Sequence, residues 1–150
     1  MMAHWVFEVI GKPWEVNQRG PDSFNCWGLL VYAFETQRGI HLPWVPVSGV
    51  SGTGKIAQDA AELAVMQAVT ASGADWQRVE PPLKEWDIIT MRGPTRRRHC
   101  ALGVAANGTV MALHCDGELT PTGCVGSVQL NTFAHMNEYY KDLQLWRLMQ

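Results

Sequence analysis

The sequence predicts an α+β domain in which N-terminal helices pack on an antiparallel sheet. Apolar residues recur at helical spacing in the first part of the chain, and strand-like alternation begins at Trp86. Two of the strand-like runs are separated by Asn107-Gly108, a pair that tolerates the positive φ of a tight hairpin turn. Helical patterns that precede strand patterns, rather than alternate with them, are typical of α+β folds.

The helical elements come first. Apolar spacing and helix-ending glycines predict helices over residues 4–10, 26–38 and 55–72, with a loop over 14–25 and a connector rich in Pro and Gly over 42–54. The helix that begins at Cys26 is expected to be central and buried, and Gly39 is expected to end it.

The second half of the chain is predicted to supply the sheet. Strands are predicted over residues 86–91, 100–105, 109–114, 126–130 and 143–149, with a short polar helix over 132–141. No linker or internal repeat divides the chain, so we expect one domain over residues 1–150.

Composition and charge exclude several function classes. The chain has 150 residues, is 47% hydrophobic and carries a formal charge of −2, so neither nucleic acid nor an anionic membrane is an expected partner. The basic run at residues 96–98 is expected to be a solvated loop tip. No signal peptide or membrane span is predicted, so we expect the chain to be made in a cytoplasm and its four cysteines to be free thiols.

The strongest candidate for chemistry is Cys26, which follows a loop rich in Gly, Pro, Asp, Ser and Asn and begins the central helix. A thiol at a helix N-terminus lies near the positive end of the helix dipole, which lowers its pKa and favours the thiolate. A lone buried cysteine is usually inert, so the prediction of a nucleophile depends on its neighbours.

Two histidines on adjacent predicted strands provide those neighbours. His99 begins one strand and His114 ends the next, and the turn at 107–108 brings them side by side. We expect His99 to take the thiol proton and His114 to accept the other ring N–H of His99, which fixes its tautomer. The remaining histidines are expected at the surface: His4, His41 and His135.

Two other sequence patterns are weaker indications of a ligand site. Gly49 to Lys55 matches half of a phosphate-binding loop, but Ile56 stands where Ser or Thr would hold magnesium. The pairs 99–100 and 114–115 suggest a zinc site, yet adjacent side chains on a strand face opposite sides. We therefore expect no nucleotide, metal or other cofactor.

The chain resembles the NlpC/P60 cysteine peptidases in the order and spacing of its motifs. The matching segments are Asn25-Cys-Trp-Gly-Leu29, Trp86-Asp-Ile-Ile89 and His99-Cys-Ala-Leu-Gly-Val104. Shorter segments resemble the version found in phage tails and gene-transfer particles: Gly11-Lys-Pro-Trp14, Arg19-Gly-Pro-Asp22, Cys26-Trp-Gly28 and Leu113-His-Cys115. The resemblance covers nearly the whole chain.

This resemblance implies a papain-like fold and hydrolysis of peptide bonds in cell-wall peptidoglycan by Cys26, His99 and His114. It also implies oxyanion or substrate contacts from three residues: Trp14, Asn25 and Trp27. Peptidoglycan peptides are the implied substrate and other phage tail proteins the implied partners, without nucleic acid or membrane insertion. The chain would be incorporated in a virion and act in the cell wall or periplasm.

Two departures from the family pattern leave other functions open. Asn25 stands where the family has Asp, and Trp14 replaces a Tyr whose hydroxyl helps the oxyanion site, although an indole N–H can still donate a hydrogen bond. One alternative is a structural phage tail protein with the same fold and little or no hydrolysis. Another is a bacterial effector amidase with the same chemistry. A reactive Cys26 would favour an enzyme over a structural part.

Overall fold

The computed structural model describes residues 2–44, 76–93 and 98–149. The described elements follow one another as α1 (His4–Val9), α2 (Cys26–Ala33), β1 (Trp76–Val79), β2 (Ile88–Arg92), β3 (Arg98–Ala106), β4 (Thr109–Thr120), β5 (Gly123–Asn131), α3 (Phe133–Tyr139) and β6 (Lys141–Leu148). The predicted helix 55–72, the glycine-rich motif 49–55 and most of the predicted connector and the basic run lie outside these residues.

Helix α2 is apolar around its whole circumference, and all of its residues except Tyr32 are buried. A helix with no polar face is stable only inside a core. It continues into a π-helical turn, Phe34–Arg38, and Gly39 ends it in the left-handed conformation with φ of 64°. The prediction of a central helix closed by Gly39 is confirmed, with the last turn π-helical.

The described strands form one six-stranded antiparallel sheet in the order β1-β6-β2-β3-β4-β5. Asn107 and Gly108 join β3 to β4 with φ of 51° and 85°, the positive values that a tight hairpin turn requires. The α+β prediction is therefore confirmed, and so is its strongest hairpin signal.

Side chains alternate between the two faces of the sheet and form two apolar clusters. The cluster on the α2 side includes Cys26 and the strand residues Cys100, Leu102, Leu113 and Cys115. The cluster on the opposite side includes Ala101, Ala112, Met136 of α3, Tyr140 and Leu145. Each face of the sheet thus has its own core.

Several predicted strand boundaries are wrong for identifiable reasons. Trp86 does not begin a strand, because its φ of 70° places it in the left-handed region and β2 starts at Ile88. Strand β4 does not end at His114, because its pairing with β5 continues to Thr120 opposite Gly123. Strand β1 was not predicted, and it is paired along its whole length with β6, far away in the chain.

Asp87 and Arg147 join the loop before β2 to the last strand. Nε and one terminal nitrogen of Arg147 donate to the two carboxylate oxygens of Asp87, each at 2.7 Å. Asp87 is fully buried and also accepts a hydrogen bond from the backbone N–H of Lys84 at 2.8 Å. This hydrogen bonding raises the pKa of Arg147 above its ordinary value. A buried charge held in this way stabilises one arrangement of β2 and β6.

The helices in the described ranges are all too short or too polar to cross a lipid bilayer.

Candidate active site

His99 and His114 contact each other directly inside the protein. Nε2 of His99 and Nδ1 of His114 lie 2.9 Å apart, and the two rings meet at 76° with their centroids 5.1 Å apart. Both residues are buried, at 4% and 2% exposure. The predicted imidazole pair is therefore present, with the ring nitrogens at hydrogen-bonding distance.

Asn131, at the end of β5, determines how the protons are arranged in this pair. Its Oδ1 lies 2.6 Å from Nε2 of His114. An amide oxygen only accepts hydrogen bonds, so Nε2 of neutral His114 carries the proton and its Nδ1 accepts one. Nε2 of His99 is then the donor in the imidazole pair. In neutral His99 this arrangement leaves Nδ1 as the basic nitrogen.

Burial keeps His114 in its neutral form. Desolvation lowers the pKa of His114 below its ordinary value, and this effect exceeds the opposing contributions of the Asn131 hydrogen bond and the Asp116 carboxylate. A neutral His114 can accept the N–H of His99, whereas a protonated one cannot. The low pKa therefore agrees with the direction of the hydrogen bonds.

Cys26 is the first residue of α2 and is 6% exposed. The Asn25 side-chain oxygen caps the helix by accepting the backbone N–H of Gly28 at 2.6 Å. A Cβ on Gly28 would lie only 2.0 Å from the carbonyl oxygen of Gln18. Gly28 thus lets the preceding loop pack directly against the helix start, where the dipole favours negative charge on a thiol.

Cys115, on β4 next to His114, lies close to Cys26 and to the loop before α2. Its thiol donates to the carbonyl oxygen of Phe24 at 3.3 Å. Burial raises the pKa of Cys115 far above its ordinary value, and the neighbouring Cys26 adds to this effect through charge repulsion. The two sulfurs therefore interact electrostatically, and Cys115, which follows His114 in the chain, stays a neutral thiol.

The thiol and the imidazoles belong to different sides of the sheet. Cys26 packs in the α2-side cluster, whereas the His99 ring stacks on Tyr140 of the opposite cluster. Pairing between β3 and β4 extends only from Ala106 to Leu102, opposite Leu113. His99 and His114 both lie beyond this last pair, at the end of the β3–β4 ladder.

A cavity of about 360 Å³ lies next to His99. Its lining consists of Gly93, His99, Asp116, Gly117, Glu118, Val125, Gly126, Gln129, Tyr139 and Tyr140. Two carboxylates and one imidazole place polar groups in a lining that is otherwise largely apolar or glycine. The cavity is large enough for part of a peptide.

The other predicted contact residues also make contacts within the fold. Trp14 is 4% exposed and packs on Gly117, where an added Cβ would lie 2.4 Å from Cγ of Trp14. Trp27 is buried, and its indole N–H donates to the carbonyl oxygen of Pro43 at 2.7 Å. Trp14 therefore packs against Gly117, which also lines the cavity, while the polar groups of Trp27 and Asn25 make hydrogen bonds within the fold.

Three residues of the site have no sequence signal: Asp116, Asn131 and Tyr140. They lie on β4, at the end of β5 and after α3, and only the sheet register and the return of the chain at α3 bring them to the histidines.

The remaining cysteines and histidines agree with their predicted positions. Cys100 and Cys115 are buried in the α2-side cluster, and all four cysteines are free thiols. The surface histidines are exposed as predicted: His4, His41 and His135. Within the described ranges, no three His, Cys, Asp or Glu side chains are grouped as metal ligands.

No family model and no curated protein matches this chain.

Proposed function

We propose that this protein is a cysteine peptidase of the NlpC/P60 type, with a papain-like fold, that hydrolyses a peptide bond in cell-wall peptidoglycan. The observation that carries the proposal is the hydrogen-bonded series from Asn131 through His114 to His99. It gives His99 one defined basic nitrogen, which is what a general base beside a thiol requires. Two buried imidazoles linked to each other and to the Asn131 oxygen through their ring nitrogens form the kind of hydrogen-bonded series that orients a catalytic histidine.

In the proposed reaction Nδ1 of His99 takes the proton of the Cys26 thiol, and the thiolate attacks the carbonyl carbon of the scissile bond. The C–N bond then breaks, the imidazolium of His99 returns its proton to the leaving amine, and a thioester on Cys26 remains. Water attacks this thioester with His99 again as the base, and the carboxylic acid and free thiol are released. Throughout the reaction Nε2–H of His99 donates a hydrogen bond to Nδ1 of His114, and this proton is not transferred.

When the thiolate attacks, the carbonyl oxygen of the scissile bond becomes negatively charged and must be stabilised by hydrogen-bond donors. The backbone N–H of Cys26 is proposed as one, because it lies at the N-terminus of α2, where the helix dipole favours negative charge. The indole N–H of Trp14 is proposed as a second donor in place of the family's tyrosine hydroxyl.

The substrate and setting follow from the motif resemblance. A stem peptide or crosslink of peptidoglycan is the proposed substrate, and the cell wall or periplasm is the proposed place of action. Other tail proteins of a phage or gene-transfer particle are the proposed partners. The cavity next to His99 supports the binding of a peptide segment beside the reacting bond.

A structural tail protein with the same fold is the second candidate, and the burial of Cys26 favours it. A thiol that is 6% exposed and lies on the α2 side of the sheet suits a core residue as well as a nucleophile. A structural protein would retain the histidine pair only for packing.

The experiment that separates the two is release of soluble fragments from purified peptidoglycan, analysed by mass spectrometry. Wild type, Cys26→Ala and Cys124→Ala are compared, since Cys124 is an exposed free thiol and a matched control. The enzyme proposal predicts release by wild type and Cys124→Ala and none by Cys26→Ala. Equal release by Cys26→Ala, or no release by any of the three proteins, contradicts it, and the latter supports the structural candidate.

A further inference from the structure

Tyr140 contacts both histidines of the candidate site. Its ring stacks on His99 with 5.1 Å between centroids and 20° between planes, and it meets His114 edge-on at 6.0 Å and 89°. Tyr140 follows α3 and is 4% exposed, so it is buried although it also lines the cavity next to His99.

A carboxylate holds the other end of this tyrosine. The hydroxyl of Tyr140 donates a hydrogen bond to Oδ2 of Asp116. Asp116 lies two places beyond His114 on β4 and therefore faces the same side of the sheet. Its charge raises the pKa of His114 against the effect of burial, so its field reaches the imidazole pair.

We propose that Tyr140, anchored by Asp116, is a positioning residue for His99. The inference rests on the proposed function, because it concerns the base of that reaction. His114 restrains the His99 ring in its plane, through Nε2, and Tyr140 restrains it from one face. Together the two contacts fix the direction in which Nδ1 points.

The stacked ring also favours the form of His99 that the reaction creates. The face of a phenol ring carries partial negative charge, and a cation stacked on it is stabilised. Asp116 adds a full negative charge behind the hydroxyl. The imidazolium of His99 thus forms beside an electron-rich surface, and the neutral imidazole keeps the same orientation before and after proton transfer.

The test compares Tyr140→Leu, which removes the aromatic face, with Tyr140→Phe, which keeps it and loses only the link to Asp116. Two quantities are measured: the rate of peptidoglycan fragment release, and the ¹⁵N chemical shifts of the His99 ring at neutral pH, which report its tautomer. We expect Tyr140→Leu to lower the rate about tenfold or more, as small misplacements of a catalytic group do. We also expect it to move the His99 shifts toward an average of two tautomers, because a ring free to tilt loses the Nε2–His114 hydrogen bond that fixes its tautomer. Tyr140→Phe is expected to restore most of the rate and of the single tautomer.

A folded Tyr140→Leu protein with the wild-type rate and a single His99 tautomer overturns the proposal, and so does a Tyr140→Phe protein as impaired as Tyr140→Leu. If Tyr140→Leu does not fold, Tyr140→Met replaces it, because methionine fills a similar volume without a π face, and the same outcomes apply. The ¹⁵N shifts do not depend on turnover. Absence of fragment release by wild type therefore contradicts the proposed function, whereas unchanged tautomer signals in the folded variant contradict only the role of Tyr140.

Discussion

Oδ1 of Asn131 lies 2.6 Å from Nε2 of His114, and through this contact a residue on β5 determines which ring nitrogen of neutral His99 on β3 carries the proton. The carbonyl-type oxygen can only accept, so each imidazole in turn has one defined donor nitrogen. The basic nitrogen of the proposed base is thereby selected through the hydrogen bond between Asn131 and His114.

Asn131→Leu is expected to lower the rate of fragment release about tenfold or more, because His114 can then adopt either tautomer and no longer fixes His99. Asn131→Gln keeps an uncharged amide acceptor on β5 and is the matched control, for which we expect a rate between those of Asn131→Leu and wild type. Urea unfolding of both variants verifies that they are folded. Wild-type turnover by Asn131→Leu would show that the amide does not set the tautomer.

The free energy of unfolding is expected to fall on acidification because of His114. Its pKa is lowered in the folded protein, whereas in the unfolded chain it is near the ordinary value of about 6.5. Below about pH 6.5 the unfolded state therefore binds a proton that the folded state does not, and stability falls until the pH reaches the folded-state pKa. Urea midpoints between about pH 7.5 and 5 measure this, and His114→Gln is expected to flatten the slope. An equal slope in His114→Gln contradicts the assignment.

Gly28→Ala is expected to destabilise the protein by about 2 kcal/mol, because the added methyl group would overlap the carbonyl oxygen of Gln18 and neither backbone can yield without loss of packing. Gln37→Ala, at an exposed position in the π-helical turn, is the control and is expected to change stability by less than about 0.5 kcal/mol. Thermal and urea unfolding measure both. Equal stability of the two variants would mean that the loop does not need to approach the helix so closely.

Asp87→Asn is expected to lower the free energy of unfolding by about 3 kcal/mol. It removes the fully buried negative charge to which Arg147 donates two hydrogen bonds, and Arg147 then has no charged partner. The ion pair between Arg92 and Asp142 is the comparison, because its side chains are 38% and 55% exposed. We expect Asp142→Asn to cost less than about 1 kcal/mol. A similar loss in both variants, measured by urea unfolding, would contradict the role assigned to the buried pair.

The elements that the sequence predicts correctly are those whose geometry depends on the residues of a single turn. The positive φ of Asn107 and Gly108 and the left-handed Gly39 are properties of those residues themselves, so the hairpin and the helix end were predictable. Trp86 was misplaced because an aromatic residue is typical of strands. Here it stacks on Trp5 and meets Phe34 edge-on, and these tertiary contacts hold it in a left-handed turn.

Long-range pairing explains what the sequence did not reveal. The half of β4 beyond His114 contains Asp116, Gly117 and Glu118, which are unfavourable in strands, and it is a strand because β5 pairs with it. The cysteine and the two histidines were identified because their residue types carry the chemistry. Asn131 and Tyr140 belong to the site only through sheet register and the path of the chain after α3, and no spacing in the sequence encodes either one.

The most direct test of the central claim is the rate at which iodoacetamide alkylates Cys26 and Cys124 in one sample at neutral pH, measured by mass spectrometry of the digested protein. Accessibility alone predicts slower reaction at Cys26, which is 6% exposed, than at the exposed Cys124. Activation by His99 predicts the opposite order, and a fall of about tenfold or more at Cys26, with no change at Cys124, in His99→Ala. Slower alkylation of Cys26 than of Cys124, unaffected by His99→Ala, would contradict the proposed cysteine peptidase.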